Sequence, residues 1–182
     1  ILTLDLARLH RHRGLALTEI GALEAMEGRA DASQAAFSRA IAIHRENGSE
    51  LELAHALHRR AEAMFALGDN DSVLTDTDAA LHLFKGVGLA GTQAEGRAAF
   101  RSSYRGTVEL RIGALLRTAD AARSRGDPDT ARRLLHAALN ASDRARAQLL
   151  TDVEDNGRSN PGIAHEQLER RREIYESLAA SR

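Results

Sequence analysis

His55, His58 and Glu62 are spaced three and four residues apart. That interval stacks side chains on one face of an α-helix. Two imidazoles and a carboxylate are zinc-capable ligands. The sequence offers no evident fourth ligand, so the residues read as a solvated or partner-binding face and no metal is assigned. His10 and His12 lie beside arginines and fall on different faces of a helix, which argues against a shared ion.

A second candidate runs from Gly68 to Leu81 and carries Asp69, Asp71, Asp76 and Asp78. A calcium loop needs glycine at its sixth position and a bidentate glutamate at its twelfth. Counting from Asp69, those positions hold Leu74 and Ala80, and the match fails. The stretch reads instead as a helix start. Asp69 is placed to cap it, and Asp71 lies in a first turn where negative charge is favoured. Val73, Leu74, Ala80, Leu81 and Phe84 form the expected buried face, with Asp76 and Asp78 flanking it towards solvent.

Enzyme chemistry finds little else. There is no Gly-x-Ser-x-Gly elbow and no His-Glu-x-x-His. Ser102-Ser103-Tyr104 reads as polar helix or loop. Asp152, Glu154, Asp155, Asn156 and Gly157 read as a frayed helix end and an acidic loop. No catalytic residue and no cofactor are assigned, and the chain is read as not an enzyme.

Composition narrows the classes further. The 25 basic and 26 acidic residues nearly cancel, so there is no long-range field to favour nucleic acid or an anionic membrane. Cysteine is absent, which removes disulfides, thiolate zinc sites and cysteine nucleophiles. No apolar run approaches the ~20 residues of a membrane span, and no signal-peptide pattern is present. A cytoplasmic location is the default expectation. The chain opens on Ile1 rather than Met, which reads as a fragment of something longer.

Only two prolines occur, aromatics are 3%, and alanine and leucine are abundant; such a composition favours helices. Apolar spacings of three and four, such as Leu53, Leu57, Ala61, Met64 and Leu67, predict helices over about 4–27, 30–46, 50–67, 70–85, 93–125, 128–152 and 161–180. Asn47-Gly48 is a stop signal, and Ser49 is placed to cap the next helix. Asp127-Pro128 and Asn160-Pro161 are start signals. The connections at 28–29, 68–69 and 126–127 are short enough to force antiparallel hairpins.

The hairpins repeat. Aligned on Gly28, Gly68 and Gly126, Leu17/Gly21 precedes the first link, Leu57/Ala61 the second and Leu115/Ala119 the third. After the links come Ser33/Phe37/Ala40, Val73/Thr77/Ala80 and Ala131/Leu135/Ala138. Small residues at a crossing let two backbones approach, and a large one fills the space beside them. Thr77 stands where the neighbouring repeats hold Phe37 and Leu135, which predicts looser packing around the second hairpin.

This pattern resembles the tetratricopeptide repeat, over about 14–46, 54–85 and 112–145. It departs from it in having Glu24, Met64 and Ala122 where the first helix usually carries an aromatic, and in lacking the closing proline. The link glycines are spaced by 40 and then 58 residues, against a family period of 34. The longer form is similar to repeats of large bacterial signalling and transcription regulators. The excess of 18 residues in the second spacing amounts to about five whole helical turns. One long helix over 93–125, capped by Thr92 and Glu95, is therefore preferred over a short extra helix with a second start at Thr107.

The resemblance implies a right-handed superhelical array of about seven helices in a single domain over 1–182. Its repeats would cover about 4–46, 50–85 and 93–152, with a terminal helix at 161–180. It also implies a concave groove lined by first helices: Thr18, Ala22 and Ala25; then His55, His58 and Glu62; then Leu116, Asp120 and Arg123. His44 and His136 are expected on second helices near the surface. The implied function is a protein-interaction or regulatory module that binds a peptide or partner protein in that groove. A small-ligand or signalling-peptide sensor is the alternative. Direct nucleic-acid or membrane binding is not expected, and self-association stays open.

Overall fold

A computed structural model describes the backbone of residues 2–87 and 94–159 and the side chains of 8–86 and 100–147. The fold is all-α. The described residues form α1 (Leu2–Met26), α2 (Ala30–Glu46), α3 (Glu50–Leu67), α4 (Asn70–Val87), α5 (Ala94–Ser124) and α6 (Pro128–Ser159). The helix expected at 161–180, with its start at Asn160-Pro161, lies outside the described residues, as do Thr92 and the side chain of Glu95, the expected capping pair. The chain divides into two compact units, Ile1–Ala141 and Ser142–Arg182. Within the second, the described backbone is helical through Ser159.

Four links share one geometry. At the second, the Gly68 amide donates to the Phe65 carbonyl at 3.3 Å and the Asp69 amide to Met64 at 2.9 Å. Gly68 itself has φ +82°. This is the Schellman arrangement, which needs a residue in the left-handed region and therefore favours glycine. The same pair of bonds closes α1 at Gly28, α2 at Gly48 and α5 at Gly126. As expected, Asp69 and Asp127 then cap α4 and α6, each accepting from the amide three residues on, at 3.1 and 3.0 Å.

Three local expectations need correction. Ser49 makes no side-chain cap on α3, because its ψ of 76° falls short of the extended value that aims a capping hydroxyl at the first turn. The stretch Asp152–Gly157 is helix, not a frayed end and acidic loop. Asn and Gly weaken a helix without forbidding it, and the next proline in the sequence is Pro161. Asp76 does not face solvent but is 1% exposed, because Arg60 of α3 meets its carboxylate (2.6 Å from Nε).

α5 is one continuous helix, although Gly106 and Gly113 lower its intrinsic propensity. Both glycines lie beneath rings of α3. A methyl at Gly113 would stand 2.9 Å from Phe65, and one at Gly106 would stand 3.1 Å from His58. Tertiary packing thus supplies what propensity withholds.

Packing runs along the array. α1 contacts α2 and α3; α3 contacts α2, α4 and α5; and α4 contacts α5. The small–large alternation sets these crossings. Gly21 admits the Phe37 ring so closely that an added methyl would lie 2.8 Å from it. Beside this contact, the buried Ser33 hydroxyl donates to the Gly21 carbonyl at 2.8 Å. Phe37, Ala61, Met64, Val73 and Ala114 form one core cluster; Ile41, Leu57, Ala80, Phe84 and Phe100 belong to another. In the third repeat Ala131 and Ala138 are buried, and Leu135 is half-buried. Thr77 is fully buried, and its hydroxyl donates to the Val73 carbonyl at 2.7 Å within α4. Burial there is thus compatible with a polar side chain.

His44 is the largest departure from the expected surface positions. It is completely buried, because Gly14 leaves room for the ring: a methyl on Gly14 would stand 2.6 Å from it. Neither ring nitrogen has a well-formed hydrogen bond. His136, by contrast, is exposed on α6.

Candidate functional site

α1 packs against α3 as well as against α2. Between α1 and α3 opens a groove of about 380 Å³. α1 contributes Leu15, Ala16, Thr18 and Glu19, and α3 contributes Glu52, His55, Ala56 and Arg59. Thr18 is buried, its hydroxyl donating to the Gly14 carbonyl at 3.1 Å. This leaves a floor of small side chains beneath a rim that carries both signs of charge. Arg11 pairs with Glu52 across the two helices, and Arg59 approaches Glu19 at 3.4 Å.

His55 borders this groove while reaching beyond it. Its Nδ1 lies 3.3 Å from the Ser103 hydroxyl of α5, and its ring meets Phe84 edge-on at 5.8 Å. Burial pushes its pKa below the usual imidazole value, with Glu52 pulling the other way.

His58 is buried against α5. Its Nδ1 lies 3.0 Å from the Thr107 hydroxyl oxygen, and that hydroxyl donates to the Ser103 carbonyl at 2.7 Å. A threonine hydroxyl has one hydrogen. With that hydrogen committed, the oxygen must accept from Nδ1–H, which fixes the neutral tautomer. Nε2 then faces Glu62 at 3.6 Å, too far for a hydrogen bond but close enough to attract an imidazolium. Burial dominates and lowers the His58 pKa, against the pull of Glu62. Arg59 donates to Glu62 at 2.8 Å. Glu19, Arg59, Glu62, His58 and Thr107 therefore form a polar chain across α1, α3 and α5.

The expected site residues divide between several environments. Thr18 and His55 share the groove, while His58 and Glu62 adjoin it through Arg59. Ala22 and Ala25 are half-buried against the Phe37 cluster. Leu116, Asp120 and Arg123 are exposed farther along α5, where Arg123 pairs with Asp120 at 3.1 Å. Among the described residues, no three His, Cys, Asp or Glu side chains are placed to share a metal ion.

Ser103 and Thr107 were missed as polar partners of the two histidines. Their i,i+4 spacing was the available signal, since it places two hydroxyls on one face of α5. Gly86, Gly88 and Gly91 have the G-x-G-x-x-G spacing of a dinucleotide loop. That loop follows a strand, whereas α4 precedes this one, and 88–93 lie outside the described residues.

Fold and groove together define a repeat-like, all-helical protein with a cleft between successive odd-numbered helices. The chain matches no family model, no curated protein and no solved structure. Among the described residues no helix is long and apolar enough to cross a membrane.

Proposed function

We propose that this chain is a protein-interaction module of the tetratricopeptide type, a cytoplasmic regulatory part of a larger bacterial signalling or transcription protein. Its occupant would be an extended peptide or a partner segment laid in the α1–α3 groove. The groove itself carries this reading: the buried Thr18 and Ala56, with Ala16 at the edge, accept small apolar groups, and Glu19, Glu52 and Arg59 offer charges to a polypeptide backbone or side chains. The repeated hairpins support the family assignment through the shared link geometry and the small–large crossings.

Selection of binding peptides from a random-peptide library, followed by calorimetry on Leu15→Trp, tests this function. Leu15 is 42% exposed on the groove wall, so a larger ring there should fill the groove without disturbing the core. Binding should weaken at least tenfold. Peptides that bind Leu15→Trp as well as the parent chain would remove the groove from the function.

The volume of about 380 Å³ also falls within the range of small-molecule pockets, which favours a ligand sensor as the second reading. In that case small metabolites would protect the chain against thermal unfolding, and selected peptides would not compete with them.

A further inference from the structure

The outer side of α1 carries an apolar line that touches the groove only at Ala16. At 100° per residue, Leu9, Ala16, Ile20 and Leu23 fall within about 60° of one another. Leu9 is 65% exposed, Ile20 45% and Leu23 57%, and Met26 at the helix end is 83% exposed. Gly14 and Gly21 on the opposite side meet His44 and Phe37 of α2. On α3 the equivalent positions are Ala56, Arg60 and Ala63, which are buried or half-buried, and α2 packs on that helix. Among the described helices, none takes the corresponding place on α1.

The charges along α1 indicate what would cover the line. From Arg8 to Thr18 every charged residue is basic: Arg8, Arg11 and Arg13, with His10 and His12 among them. From Glu19 to Gly28 every one is acidic: Glu19, Glu24 and Glu27. Beyond Asp5 in the opening turns, this order opposes the helix dipole, which favours acids at the N-terminus and bases at the C-terminus. α2 and α4 follow the dipole. α2 has Asp31 in its first turn and His44 and Arg45 in its last, and α4 has Asp71 first and Lys85 last. Two such helices laid antiparallel place each basic half against an acidic half, whereas laid parallel they place like charges together.

We infer that the exposed face of α1 pairs with the same face of a second copy of this chain. The helices run antiparallel about a two-fold axis near Ala16 and Ile20. Such an isologous contact is closed and self-complementary. It sets Arg13 near the partner's Glu24 and Arg8 near the partner's Glu27, and brings Leu9 towards the partner's Met26. Arg29 already pairs with Glu24 and Glu27 within one copy. The apolar line therefore supplies most of the attraction, and the charges set the direction.

Sedimentation equilibrium of the full chain over micromolar concentrations tests this pairing. A monomer–dimer equilibrium is expected, weakened at least tenfold by Leu23→Glu and again by Ile20→Glu, with helix content by circular dichroism unchanged. The chain lacks cysteine, so single cysteines report direction cleanly. Ile20→Cys, near the axis, should cross-link to itself under mild oxidation. Leu9→Cys, roughly 27 Å from its own copy along the helix, should not, but it should cross-link to Met26→Cys in a mixture. A chain that stays monomeric would overturn the inference and leave the face to a different partner. So would a dimer indifferent to both glutamate variants, or self-cross-linking of Leu9→Cys equal to that of Ile20→Cys.

Discussion

Arg60 meets both carboxylate oxygens of Asp76, with Nε 2.6 Å from one and Nη2 2.5 Å from the other. Asp76 is 1% exposed and the pair joins α3 to α4. Removing one member of a fully buried pair costs about 3–5 kcal/mol; the Arg60 side chain left here is 23% exposed, which places the cost towards or below the lower end of that range. Asp76→Ala should therefore lower the urea midpoint. Replacing both partners, as Arg60→Met with Asp76→Leu, should recover much of the loss, since the desolvated charges vanish together. A loss below ~1 kcal/mol for Asp76→Ala would match an exposed pair instead.

That pair also marks the limit of what the sequence conveys. Periodicity and link glycines describe one helix and its neighbour in the chain, so the hairpins and the continuity of α5 were legible. Asp76 could be placed on the flank of α4, but its partner lies sixteen residues back on α3. Only the crossing of the two helices turns that flank into an interior. His44 was unreadable for a related reason. Its slot exists because Gly14, thirty residues earlier, lacks a side chain. The groove was partly legible, because the three-and-four spacing put His55, His58 and Glu62 on one face. The depth of His58 depended on Gly106 and Thr107, whose register against α3 no local pattern fixes.

Gly21 lies beneath Phe37, with ring atoms 2.8–3.0 Å from where a methyl would sit. Phe37 is fully buried and has little room to retreat. Alanine would gain up to ~1 kcal/mol in helix propensity, but overpacking a core costs about 1–3 kcal/mol. Gly21→Ala should therefore destabilise the chain. Gly86→Ala, where nothing lies within 4 Å, should be neutral or slightly stabilising. Equal effects of the two on the thermal midpoint would contradict the close crossing.

Burial lowers the pKa values of His44, His55 and His58 in the folded chain. Each group therefore binds protons more readily when unfolded. Its contribution to stability is complete above the unfolded value near 6.5 and declines as pH falls through that value towards the folded one. Urea midpoints should thus be level above neutrality and fall through mildly acidic pH. His44→Leu should reduce that slope, because it removes a buried imidazole with no well-formed hydrogen bond. A slope unchanged by this substitution would assign the acid sensitivity to the α3–α5 histidines.

Thr107 tests the polar seam between α3 and α5. Its hydroxyl gives its one hydrogen to the Ser103 carbonyl and accepts from His58 Nδ1 at 3.0 Å. Thr107→Val keeps the shape but strands a buried donor on His58, which should cost about 1–3 kcal/mol. Thr107→Ser should cost less. In a His58→Leu background the valine substitution should lose most of its effect, since no donor remains to be stranded. The double-mutant cycle should then show a coupling of about 0.5–3 kcal/mol. Nitrogen chemical shifts of the His58 ring at neutral pH provide a second measurement. They should report a protonated Nδ1 and a bare Nε2 facing Glu62. The opposite tautomer would mean that the Thr107 hydroxyl points at the imidazole, and the valine substitution would then strand an acceptor instead.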